Sequence, residues 1–143
     1  MYRSGWRRLG PVTGVLLACA TGPDVDVGGS WDFSETYSAN SGISCTNTGQ
    51  LLLAHESGSS LFGGLATRQA TCTGAPTDFN PGGSDNVIDA HINGSDVRFQ
   101  VDLCNYEGTA TDLAMSGTVT CELGVSGQPT SFSGTWEASR TAI

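Results

Sequence analysis

The sequence contains no lysine, and arginine is scarce. Of six arginines, Arg3, Arg7 and Arg8 fall in the first eight positions, and only Arg68, Arg98 and Arg140 follow. All fourteen acids lie beyond residue 18, so the later chain carries three cations against fourteen anions, a balance of −11. A surface of that sign repels phosphate backbones and argues against a nucleic-acid partner. Also missing is any later apolar run near the ~20 residues of a spanning helix, and any stretch that holds helical period for three turns. What the chain has instead is 20 glycines, five prolines and much Ser and Thr, with apolar and polar residues alternating past residue 28. That is the composition and period of an all-β protein with tight turns. A length of 143 residues allows one domain with a modest core.

Catalytic and cofactor signatures are missing too. There is no Gly-x-Ser-x-Gly elbow, no Gly-rich phosphate loop and no HExxH, and Asp85, Asp89 and Asp96 lack the Gly and Glu of a calcium loop. Asp102 and Glu107 do not form a supported catalytic pair. The two histidines fall on different strands, His55 inward with Phe62 and His91 outward opposite Asp96. The expectation is a protein that is not an enzyme and uses no cofactor or metal.

The first residues stand apart. Arg3, Arg7 and Arg8 precede a short apolar stretch, Leu9 to Ala18, and Leu16-Leu17-Ala18 leads directly into Cys19. This resembles a bacterial signal peptide ending in a lipobox. The resemblance implies a cleaved segment at 1–18, lipidation of Cys19 and a polar tether through residue 28, with the folded domain at 29–143. Acyl chains then hold the protein to a membrane at ~0.8 kcal/mol per buried CH₂. Location in the cell envelope follows, on the outer membrane or the periplasmic face of a two-membraned host.

Cys19 accounts for the odd cysteine. Cys45, Cys72, Cys104 and Cys121 are left, an even number in an exported chain, which implies two disulfides. A zinc site is the rival reading, but no CxxC is present. Hairpin geometry selects the pairing. A two-residue turn at Gly58-Ser59 sets Leu53 against Gly64, Leu51 against Ala66 and Cys45 against Cys72. A turn at Asp112-Leu113 sets Cys104 against Cys121, Tyr106 against Val119 and Ala110 against Met115. Between them, Asn93-Gly94 reads as a hairpin turn with Ile88 facing Phe99, Ala90 facing Val97, and Asp89 meeting Arg98 outside. Odd positions then point inward up to Leu103 and even positions from Cys104. A one-residue bulge near Leu103-Cys104 reconciles them; the alternative puts that disulfide on the outer face. The Pro- and Gly-rich stretch from Thr73 to Asp85 reads as the longest loop and the rim of any cavity.

The phrase apolar-Ser-Gly-Thr-apolar occurs at Met115–Val119 and again at Phe132–Trp136. With the first strand at Gly29–Phe33 these give seven strands in meander order, near the eight that close a small barrel; an open sandwich is the alternative. Gly29-Ser30-Trp31 on the first strand and Arg140 on the last resemble the signature of the calycin superfamily, which includes the lipocalins and avidins. The resemblance implies that Arg140 packs across Trp31 and closes one end. The chain is also similar, more loosely, to small bacterial envelope lipoproteins with Ser-Gly-Thr repeats.

Two functional classes follow. One is a lipid-anchored barrel that binds a small apolar or amphipathic ligand in a cavity lined by Phe33, Phe62, Phe99, Tyr106, Phe132 and Trp136. The other is an envelope module that binds another protein, such as a protease inhibitor or an assembly partner. A coat lipoprotein without a ligand is the blandest form of the second.

Overall fold

The alternation past residue 28 becomes eight antiparallel strands: β1 (Gly29–Ser38), β2 (Ser44–Ala54), β3 (Leu61–Thr73), β4 (Gly83–Asn93), β5 (Asp96–Val101), β6 (Cys104–Ala110), β7 (Ala114–Val125) and β8 (Gln128–Arg140). The computed structural model describes residues 23–141. The signal-peptide and Cys19 expectations lie outside that range. Each strand pairs with the next in sequence, and β8 pairs back onto β1, so the sheet closes into an up-and-down barrel without a free edge. The expected all-β meander is therefore a closed barrel, not an open sandwich.

The β2–β3 ladder runs in the expected register, with Cys45 opposite Cys72 and Leu53 opposite Gly64. The β6–β7 ladder does likewise, with Cys104 opposite Cys121 and Ala110 opposite Met115. Both disulfides form, Cys45–Cys72 and Cys104–Cys121. They clip adjacent strands at the same end of the barrel.

Two details of register differ from expectation. Phase does not change by a bulge at Leu103-Cys104. Asp102-Leu103 is instead a two-residue turn, with Asp102 at φ 52° and Val101 opposite Cys104. A two-residue turn joins residues of opposite parity, so odd positions on β5 and even positions on β6 face the same core, and the count rises to eight strands. In the β4–β5 hairpin the turn lies one residue later, with Asn93 opposite Asp96 and Ile92 opposite Val97. His91 consequently faces Arg98 rather than Asp96. Asp89, expected opposite Arg98, sits at φ 49° where the register slips between Ile88 and His91. The bulge absorbs the one extra residue and turns Ile88 outward, 46% exposed.

The Ser-Gly-Thr phrases now have a physical reading. Gly117 and Gly134 fall at inward positions, and a Cβ at either would run into a neighbouring strand's backbone at Glu107 and Thr36. Glycine lets strands approach closely where a small barrel bends. The flanking Met115, Val119, Phe132 and Trp136 are buried. The Ser and Thr of each phrase point outward, and Thr118, Thr135, Thr36, Thr46 and Thr71 form a continuous cross-strand row on five adjacent strands.

Candidate functional site

Inward positions stack in tiers along the barrel axis. At the end where the chain enters, Arg140 lies across Trp31 with Cζ 4.3 Å from the ring centroid. The Arg140 guanidinium donates to the backbone carbonyls of Asp26, Gly28 and Asp112. Trp31 Nε1 donates to Val27 O at 2.9 Å. The segment before β1 crosses this end and is held there by Val25 N–H to Gly94 O, 2.9 Å, and by Val27 N–H to His55 Nδ1, 3.2 Å. His55 Nε2 lies 2.6 Å from Ser59 O, so the ring bridges strap and hairpin. Because Nδ1 accepts, Nε2 carries the proton.

The next tier is aromatic. Phe99 stacks on Tyr106 with centroids 4.7 Å apart and planes 9° from parallel. Trp136 meets Phe99 edge-on at 5.2 Å, and Phe33 meets Tyr106 edge-on at 5.9 Å. Phe62 is half-buried, between His55 and Phe99. The residues expected to line a cavity, Phe33, Phe62, Phe99, Tyr106, Phe132 and Trp136, pack closely here. Five of these rings retain no more than 4% of their surface, and the hollows that touch Phe99, Tyr106 and Phe132, about 380 and 400 Å³, are open ones shared with outward side chains. An eight-stranded barrel is narrow enough for its own side chains to fill it.

Beyond the aromatic tier lies a buried polar group that the sequence reading did not single out. Glu35, Asn47 and Arg68 are at most 3% exposed. Tyr106 Oη donates to Glu35 Oε1 at 2.7 Å. Asn47 Nδ2 donates to Glu35 Oε2 at 2.8 Å and to Tyr37 Oη at 3.0 Å. Arg68 Nη1 stands 3.5 Å from Glu35 Oε2 and donates to Tyr106 Oη at 3.3 Å. Arg68 Nη2 donates to Asp85 Oδ2 at 3.2 Å, and the half-exposed Asp85 carboxylate links the group to solvent.

The electrostatics follow from burial. Burial pushes the Tyr37 hydroxyl up to about 12. Burial, then the Glu35 carboxylate, raise that of Tyr106 as well. Burial alone would lower the Arg68 pKa, but the Tyr106 and Glu35 oxygens outweigh it and hold the guanidinium charged. The pairing is nevertheless incomplete. Since a carboxylate only accepts, the Asn47 amide nitrogen must face Glu35, which leaves Asn47 Oδ1 without a partner. Arg68 Nε also has none. An unpaired buried polar atom costs about 1–3 kcal/mol.

The signal for this group was present in the alternation. Glu35 falls between the inward Phe33 and Tyr37, Asn47 shares parity with Cys45 and Leu51, and Arg68 shares it with Phe62 and Cys72. The three cations after Cys19 thus divide unevenly: Arg68 lies inside, Arg140 on Trp31, and Arg98 outside.

The far mouth is covered by the loop 74–82. Phe79 lies parallel to Phe132, centroids 5.8 Å apart and planes 9° from parallel. Phe132 in turn meets Tyr37 edge-on at 5.4 Å. On the outer wall, an open cleft of about 1000 Å³ runs over β4 to β7, lined by His91, Arg98, Glu107, Thr109, Ser116 and Thr118 among others. It is lined by no Phe, Tyr or Trp.

No family model matches the chain, and no curated protein matches it. Among solved structures the barrel is similar to that of an S-type phycobiliprotein lyase from Guillardia theta, over 82% of this chain and 89% of that one, at a TM-score of 0.48 and 8% identity. The match is to a lyase, which stands against the expectation that the chain is not an enzyme. At this distance the likeness carries no activity to the chain.

Proposed function

We propose that the protein is an exported, lipid-anchored barrel of the cell envelope that takes up a small amphipathic ligand at its loop-covered mouth. The observation that carries this reading is the pair of unpartnered polar atoms, Asn47 Oδ1 and Arg68 Nε, enclosed between aromatic tiers. A guest with a polar head can supply the donor that Asn47 Oδ1 lacks and the acceptor that Arg68 Nε lacks. The anchoring half rests on Leu16-Leu17-Ala18-Cys19. Under this reading acyl chains on Cys19 tether the domain, and because the strap at residues 25–28 crosses the plugged end, that end would be the one nearer the membrane.

Native mass spectrometry of the protein purified from its own envelope tests both halves. The expected mass carries acyl groups on Cys19, two disulfides and a retained ligand. An unmodified Cys19 sinks the anchoring half, and a bare polypeptide mass sinks the ligand half.

A second reading, a protein-binding module, is favoured by a specific feature. Leu52 and Leu65 are cross-strand partners on the outer face, 49% and 38% exposed, with Leu61 nearby at 56%. An exposed apolar pair is where a partner surface would dock under this reading. Under this reading, Leu52→Asp with Leu65→Asp abolishes a cross-link to an envelope partner that the unaltered protein forms in cells. An unchanged cross-link pattern removes it.

A further inference from the structure

We propose that the Phe79 ring is an internal stand-in for the ligand: it occupies a subsite at the barrel mouth whose external occupant is a flat, uncharged aromatic molecule. The inference rests on the ligand-binding reading above and names the place and chemistry of the guest.

Phe79 is the one large apolar residue in the loop 74–82, whose other members are Gly, Ala, Pro, Thr, Asp and Asn. Its ring is half-buried and parallel to Phe132, whereas Tyr37 meets the same Phe132 edge-on. Phe132 therefore offers one flat face to whatever lies at the mouth. The loop's own hydrogen bonds are local: Phe79 N–H reaches Pro76 O at 3.0 Å, and Gly82 N–H reaches Asn80 Oδ1 at 3.1 Å. Gly74 at φ 77° and Gly83 at φ 134° stand at the two ends of the loop, in backbone conformations that glycine adopts without strain. A ring held by stacking, on a loop bonded mainly to itself, is replaceable by another ring.

Charge limits what replaces it. The group behind the mouth holds two carboxylates, Glu35 and Asp85, against one guanidinium, Arg68. That balance disfavours an anion, and both carboxylates are already engaged by Arg68, so a cation gains little. An uncharged aromatic ring fits both the flat face of Phe132 and this charge balance.

Indole serves as the probe, titrated calorimetrically into the full chain and into Phe79→Ala, with benzoate as the anionic control. Removing an internal competitor raises the fraction of competent sites and so the apparent affinity. The expected result is that Phe79→Ala binds indole roughly tenfold more tightly and that neither protein binds benzoate. Phe79→Leu keeps apolar volume at the mouth without a flat ring, so it gains less and serves as the second variant. Equal indole affinity in all three overturns the stand-in role while leaving the ligand reading intact. Preference for benzoate overturns the uncharged class. No indole binding by any variant overturns the inference; the ligand reading falls with it only if native mass spectrometry also finds no retained molecule.

Discussion

The two ends of the barrel are closed by different physics. At the strap end, Arg140 places three hydrogen bonds on backbone carbonyls while covering Trp31, and His55 fixes the strap to a hairpin. At the mouth, a loop lays one ring on Phe132, above a polar group with two unmet hydrogen bonds. One end is a plug whose polar groups are met; the other is a lid over unmet ones. Local opening follows the weaker set of contacts, so the mouth is the end that can exchange its contents.

Changes at each end sharpen or break that contrast. The largest effect is expected between the two ends, from Arg68→Met. It leaves Glu35 buried without its cation, a loss of about 3–5 kcal/mol, read from the urea unfolding midpoint. A loss under about 1 kcal/mol would mean the polar group is already hydrated and the lid loose.

Alkaline pH comes next. Tyr37 holds its proton more tightly folded than unfolded, with its hydroxyl near 12 rather than 10. Its contribution is therefore fully present below pH 10 and lost as pH rises through about 12. That span corresponds to about 3 kcal/mol. Unfolding free energy measured across it should fall steeply, and Tyr37→Phe should flatten the Tyr37 share of the decline. An identical slope in the variant would mean Tyr37 is not shielded.

Arg140→Ala, at the strap end, should cost about 2 kcal/mol through lost carbonyl bonds and the cation–π contact. It should also quicken hydrogen exchange at Val25 and Val27. Phe79→Ala should cost only about 1 kcal/mol, the worth of one aromatic stack. Its faster exchange should be confined to the loop 74–82 and to neighbouring Phe132. If Phe79→Ala destabilised more than Arg140→Ala, the contrast between plug and lid would be reversed.

Much of the frame was legible in the chain. Opposed cysteines, alternation and the turns at Gly58-Ser59 and Asp112-Leu113 fixed two hairpins and both disulfides, because side-chain parity on a strand is set by period alone. The β4–β5 register was not legible, since Asn93-Gly94 fits a turn in more than one frame and the bulge at Asp89 leaves no periodic trace. The polar group was half legible. Parity pointed Glu35, Asn47 and Arg68 inward, but their residue types suggested solvent.

Away from the bulged β4–β5 hairpin, sequence alone determined which side chains share the inner face, because alternation is a local property of each strand. It also determined that the outer face is hydroxyl-rich and acidic. Only the closed sheet decided that the aromatic rings fill the interior instead of lining it, since how much space eight strands enclose depends on their stagger and curvature together. The same closure brought Glu35 of β1, Arg68 of β3 and Tyr106 of β6 within hydrogen-bonding or ion-pair reach. Residues 33 and 71 positions apart meet only when a barrel joins its first strand to its last.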